Sequence, residues 1–220
     1  MGNRTSDFTA QKWRDVFSPT LCDEDPARTR PGRDTQTVMS PRLTYGRHFG
    51  PTLPSTRPAA VMILLTRIDD EWQIPLTVRP DHLRAHAGQV SFPGGAREPN
   101  ETSQQAAIRE LQEELGCDTS TIDIVGKLSP IYVYNSDFLV TPWIGITEHS
   151  LSFDPDANEV ADWFGLSIDD LCKRLAVCKK QIARGRLCFS APAFECQQHE
   201  IWGATSMILS ELQVLLRSVI

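Results

Sequence analysis

The sequence predicts an α/β fold, an α/β/α sandwich around a mixed β-sheet. Three observations lead there. Apolar and β-branched runs of strand length recur between Ala59 and Thr147. In their midst Ala107, Ile108, Leu111 and Leu115 fall at helical spacing, and Met207, Ile208, Leu212, Leu215, Leu216 and Val219 repeat that spacing at the C-terminal end. A sheet flanked by helices on both sides buries both faces.

Residues 1–57 are rich in Pro, Arg, Thr and Asp and are expected to form an N-terminal extension, partly irregular, with a short helix where Phe8 to Phe17 is weakly amphipathic around Trp13 and Val16. Residues 58–220 are expected to form one domain. Its first elements are two strands, Ala59 to Ile68 and Gln73 to Pro80, joined by a tight polar turn as a hairpin. Ala87 to Phe92 supplies another strand, which Pro93-Gly94-Gly95 ends, letting the backbone approach a ligand. Beyond the central helix come strands at Ile122 to Lys127, Ser129 to Tyr134 and Phe138 to Thr147, with Asn135-Ser136-Asp137 as the last turn. Val160 to Leu166 is a strand leading into a helix that Ser167 caps and that runs to about Val177. Lys173, Arg174, Lys179, Lys180, Arg184 and Arg186 make a loose basic stretch, read as solvated, and a helix from Gly203 to Ser218 packs on the sheet.

With 220 residues the chain suits one well-filled core. A formal net charge of -6 excludes a general nucleic-acid binder, which would show a basic stripe. Cys22, Cys117, Cys172, Cys178, Cys188 and Cys196 form no C-x-x-C pair, as expected for reduced thiols in a cytoplasmic protein. The longest apolar run, Ala59 to Leu65, is too short to span a bilayer, so no membrane partner is expected. An acidic chain opposes polyanionic substrates, and one that binds them must use metal ions and local arginines.

The central helix supplies a place for such an ion. A turn of 100° per residue sends Glu110, Glu113 and Glu114 onto one arc, opposite the apolar positions. Like charges three and four apart repel by roughly a few tenths of a kcal/mol per pair, so the arc is either a solvated face or a site that a cation neutralises. Magnesium suits it, preferring hard oxygen ligands shared with substrate phosphates. Arg109 beside the arc and Glu101 ahead of the helix can orient the ligand carboxylates.

The spacing decides between the two readings. Gly95, five residues, Glu101, seven residues, Arg109-Glu110, Leu111, one residue, Glu113-Glu114, one residue, Gly116 resembles the Nudix box, with Cys117 where a branched aliphatic is usual. The fixed positions agree by chance on the order of 10⁻⁶ of the time. The resemblance implies the sandwich fold and metal-dependent hydrolysis of nucleoside diphosphate derivatives. Upstream, Leu76-Thr77-Val78-Arg79, Arg84, Gly88 and Phe92-Pro93-Gly94-Gly95 resemble the motif of coenzyme A pyrophosphatases, with Pro80 in place of a small residue. Downstream, Phe138-Leu139-Val140-Thr141-Pro142, Glu159-Val160 and Ile201-Trp202-Gly203-Ala204-Thr205 continue it. Asp137 stands where glycine is common in relatives, and its carboxylate near the substrate is expected to alter selectivity.

The expected metal ligands are Glu110, Glu113, Glu114 and the Gly95 carbonyl, holding Mg²⁺ or Mn²⁺, with Glu101 and Arg109 keeping them in place. Glu110, Glu113 and Glu159 are open candidates for the base that activates water. Gly94, Arg79, Arg84, His86 and Arg97 are the expected substrate-binding residues, since arginine pairs two phosphate oxygens at once. For Arg79 and Arg84 the competing reading is a surface salt bridge, and for His86 a structural histidine. The expected reaction splits coenzyme A or acyl-coenzyme A into phosphopantetheine and adenosine 3′,5′-bisphosphate. The alternatives are a broader pyrophosphatase acting on ADP-ribose or dinucleotides and a Nudix-fold module that binds nucleotides without cleaving them. Beyond coenzyme A or a related nucleotide, the one partner foreseen is a second copy of the chain in a homodimer.

Overall fold

A computed structural model of the chain describes residues 5, 8–21, 32–44, 47–49, 51–82, 88–173, 175–184 and 187–217. In chain order the helices are α1 (Ala10–Leu21), α2 (Gly32–Val38), α3 (Ser103–Leu115), α4 (Ile168–Lys173) and α5 (Ala204–Arg217). The strands are β1 (Arg57–Ile68), β2 (Glu71–Val78), β3 (Val90–Ser91), β4 (Gly94–Ala96), β5 (Asp123–Lys127), β6 (Ile131–Val133), β7 (Phe138–Ile146), β8 (Asp162–Ser167), β9 (Ala176–Arg184), β10 (Leu187–Cys196) and β11 (His199–Trp202).

β1 is the spine. It runs parallel to β7 from Arg57 opposite Phe138 to Leu65 opposite Ile146, and antiparallel to β2 and β4, which makes the sheet mixed. The hairpin between β1 and β2 turns on Asp69 and Asp70, with φ of 50° and 61°, the two left-handed residues that a type I′ turn requires. On the outer edge of β2 lie β3 and β8, and beyond β7 lie β5 and β6.

Alternation along β1 divides the core. Ala60, Met62 and Leu64 pack with Ala106, Ala107, Leu111 and Leu115 of α3 on one face. Ile63 and Leu65 join Trp13 and Phe17 of α1 and Met207, Leu209 and Leu212 of α5 on the other. The architecture is therefore the expected α/β/α sandwich. Among the described residues no helix is long and apolar enough to cross a membrane.

Several local expectations need correction. Gly94–Ala96 does not break away as a loop but pairs with Val61–Ala59, so the glycines lie within the sheet. The strand expected at Ala87 to Phe92 is confined to Val90–Ser91, and Ala87 itself is outside the described residues. α4 stops at Lys173, because β9 starts at Ala176. The basic stretch is that strand: Lys179 and Lys180 sit in a second sheet of order β11-β10-β9, while Arg174 and Arg186 are outside the described residues. Parallel stacking of His199 on Phe164, with ring centroids 4.5 Å apart, joins this sheet to the first.

Candidate active site

Thr102 starts α3 with a capping box: its hydroxyl accepts from the Gln105 amide at 3.2 Å, and the Gln105 side chain accepts from the Thr102 amide at 2.8 Å. Gly116 ends it at φ 62°, and a Cβ there would lie 2.2 Å from the Asp154 carbonyl oxygen, so only glycine fits. Both ends of the helix are thereby fixed. The carboxylates between them inherit defined positions.

Arg109 is the hub. Its Nε and Nη2 donate to the two oxygens of Glu101 at 3.2 and 2.9 Å, Nη1 donates to Glu110 at 2.9 Å and Glu113 at 2.7 Å, and Nη2 also donates to the Ala96 carbonyl at 3.0 Å. Hydrogen bonding from Arg109, and from the Glu98 amide at 2.6 Å, holds the Glu101 carboxyl below its ordinary range. Glu101 first, then Glu110 and Glu113, hold the Arg109 guanidinium more firmly protonated still.

The three helix carboxylates do not share one exposed face, contrary to the helical arc. Glu113 is 55% exposed at its side chain, Glu110 is largely buried, and Glu114 is only 2% exposed. Glu114 turns inward, its Oε1 accepting from the Gly94 amide at 3.4 Å and its Oε2 from the Thr77 hydroxyl at 3.3 Å. Burial pushes its carboxyl up to about 7, against the favourable charge of Arg79. Burial also raises Glu110, opposed by Arg109.

Gly95 is where the sheet meets this helix. A Cβ at residue 95 would lie 2.4 Å from Glu110 Oε1, so the glycine lets that carboxylate rest on the backbone of β4. Glu110 and Glu114 thus flank the Gly94-Gly95 strand. Among the described residues no three acidic, histidine or cysteine side chains converge as a ready ligand cluster, and Arg109 occupies Glu110 and Glu113. Two hard carboxylates beside a glycine backbone nevertheless suit an ion that completes its shell with waters and substrate phosphates.

Of the remaining expected residues, Glu159 is exposed yet close enough for its charge to act on both Glu110 and Glu114. Arg79 is half-buried beside Glu114, with its Nε inaccessible and without a partner among the described residues. Arg97 is exposed near Glu101, its backbone amide bound to Pro58. The Gly94 amide is directed to Glu114. Arg84 and His86 lie outside the described residues. Asp137 adopts a left-handed φ of 53°, and its carboxylate accepts from Ser55, Thr56 and Tyr132 at 2.9, 2.8 and 3.0 Å. Those hydroxyls engage the group expected to tune selectivity. Thr77 was visible only as part of a motif, without a role.

Residues 56–184 match the NUDIX domain. The chain belongs to the Nudix family. It is 34% identical over 170 residues to the peroxisomal coenzyme A diphosphatase NUDT7 of Mus musculus, covering 76% of this chain and 71% of that protein. It is 30% identical over 175 residues to Nudix hydrolase 3 of Caenorhabditis elegans, covering 71% and 72%. A Nudix hydrolase from M. smegmatis, RenU, shares the fold with a TM-score of 0.52 at 15% identity, over 75% of this chain and 88% of that one. This chain is accordingly a Nudix pyrophosphatase, and Nudix hydrolases generally use divalent metal ions. The Arg109 hub and the Gly95–Glu110 contact are the structural content of the Nudix box.

Proposed function

We propose that this Nudix enzyme hydrolyses the pyrophosphate bond of coenzyme A or acyl-coenzyme A, giving (acyl-)phosphopantetheine and adenosine 3′,5′-bisphosphate, with Mg²⁺ or Mn²⁺ as cofactor. The observation that carries the choice of substrate is the 34% identity to the mouse coenzyme A diphosphatase, which extends well beyond the family's core motif. The half-buried Arg79, whose positive charge acts on Glu114, supports an anionic ligand at the same place. Free thiols at the five described cysteines suit a reducing cytoplasmic setting.

In this reading Glu110 and Glu114, with the Gly95 carbonyl and Glu113, hold the metal, which supplies charge neutralisation at the phosphates and an acidified water. Arg109 and Glu101 keep Glu110 aligned. Arg79 and Arg97 meet phosphate oxygens, and Glu159, Glu110 or Glu113 takes the proton from the attacking water. Catalysis by such a site is mainly positioning and charge stabilisation.

The test is hydrolysis in oxygen-18 water with coenzyme A, dephospho-coenzyme A and ADP-ribose as parallel substrates. Label recovered in one of the two expected products, with a kcat/KM preference for coenzyme A, supports the proposal. Faster cleavage of ADP-ribose would replace it with the broader pyrophosphatase.

A further inference from the structure

The Leu76–Arg79 segment contributes Thr77 to a polar pair that the Nudix box does not explain. Thr77 on β2 and Ser91 on β3 are direct cross-strand partners. Their hydroxyls lie 3.2 Å apart, and Thr77 Oγ1 is 3.3 Å from Glu114 Oε2 and 3.4 Å from the Ser91 carbonyl oxygen. Thr77 is 1% exposed and Glu114 is 2% exposed, so water does not substitute easily for either partner.

Proton accounting orients the pair. A hydroxyl has one hydrogen to give, and an ionised carboxylate only accepts. When Glu114 is ionised, Thr77 donates to Oε2 and is free to accept from Ser91. The Gly94 amide donates to the other oxygen, Oε1. One donor therefore comes from β2 and the other from β4, and together they set the rotation of the carboxylate plane.

We propose that Thr77 is a positioning residue for Glu114, supported by Ser91, so that the β2 segment ahead of the Gly94-Gly95 strand tunes metal binding as well as any contact with substrate. The proposal rests on Glu114 being a metal ligand. Partners behind a ligating carboxylate typically change metal affinity by about 10- to 100-fold when removed.

The experiment is Mn²⁺ binding to the metal-stripped full chain without substrate, followed by electron paramagnetic resonance, with the melting temperature of each variant recorded. Thr77→Val is expected to bind at least about tenfold more weakly, with a fold as stable as the parent, while Thr77→Ser binds like the parent. Should Thr77→Val fail to fold, Thr77→Ala against Thr77→Ser makes the same comparison, since both lose the methyl and only one keeps the hydroxyl. Equal affinity within the pair overturns the proposal. Glu114→Gln separates the two levels: weak binding there with normal binding in Thr77→Val sinks the positioning role alone, whereas normal binding in Glu114→Gln sinks the metal assignment itself.

Discussion

The Glu110 carboxylate rests on Gly95 so closely that a Cβ at residue 95 would come within 2.4 Å of Oε1. The obstructing atoms belong to the end of a flexible side chain, so Gly95→Ala is expected to fold and to push Glu110 aside. A displacement of about 1 Å at a reacting group costs about 10²-fold in rate. Steady-state kinetics should show at least that loss in kcat/KM, with a melting temperature within a few degrees of the parent. Activity within twofold of the parent would mean that Glu110 does not work from this position.

Arg109 spends all five guanidinium N–H groups on Glu101, Glu110, Glu113 and the Ala96 carbonyl. A lysine offers a compact charge at one point and cannot span four partners. Arg109→Lys should therefore keep the local charge and still lose about 10- to 100-fold in activity. A Mn²⁺ titration of the rate would separate weaker metal binding, which excess metal rescues, from misplaced carboxylates, which it does not.

Much of this fold was legible in the chain because its periodicities are strong. The apolar run from Ala59 forms the expected strand, and its alternate residues divide between α3 and α5. What escaped depends on contacts distant in sequence. Glu114 shares a helical arc with Glu113, yet the Asp154 and Asp156 amides close on the Leu115 and Glu114 carbonyls and β2 covers its side chain. Glycines read as strand breakers, although β4 uses both to lie against β1 and Glu110. In β9, lysines on a half-exposed edge sheet hid the strand. The Nudix box itself was plain because its spacing is local, whereas the Thr77–Glu114 contact joins residues 37 apart in sequence.

The raised Glu114 carboxyl makes the metal-free protein pH-sensitive. Between the ordinary value of 4.5 and about 7 the folded chain keeps a proton that the unfolded chain releases. This contribution is fully present below 4.5 and is lost as pH rises through 7, an effect of about 3 kcal/mol at most. Chemical denaturation of metal-stripped protein should show stability falling over that window, and Glu114→Gln should flatten the slope. Saturating Mg²⁺ should flatten it too, because binding to an ionised ligand releases the proton. A slope unchanged in Glu114→Gln would assign it to another group.

Trp13 of α1 is 0% exposed, 4.6 Å from Phe8 and 6.0 Å from Trp72 between ring centroids, on the sheet face opposite α3. The segment read as an extension therefore supplies core. Trp13→Ala should cost about 3–5 kcal/mol, as other large-to-small core changes do. The indole Nε1 is buried without a hydrogen-bond partner among the described residues, so Trp13→Phe removes an unsatisfied donor along with packing volume and should cost much less. Urea denaturation of the two variants checks the order. Since α3 lies across the sheet, both should keep near-parent kcat at temperatures where they remain folded; a large kcat loss in folded Trp13→Phe would instead link α1 to the active site.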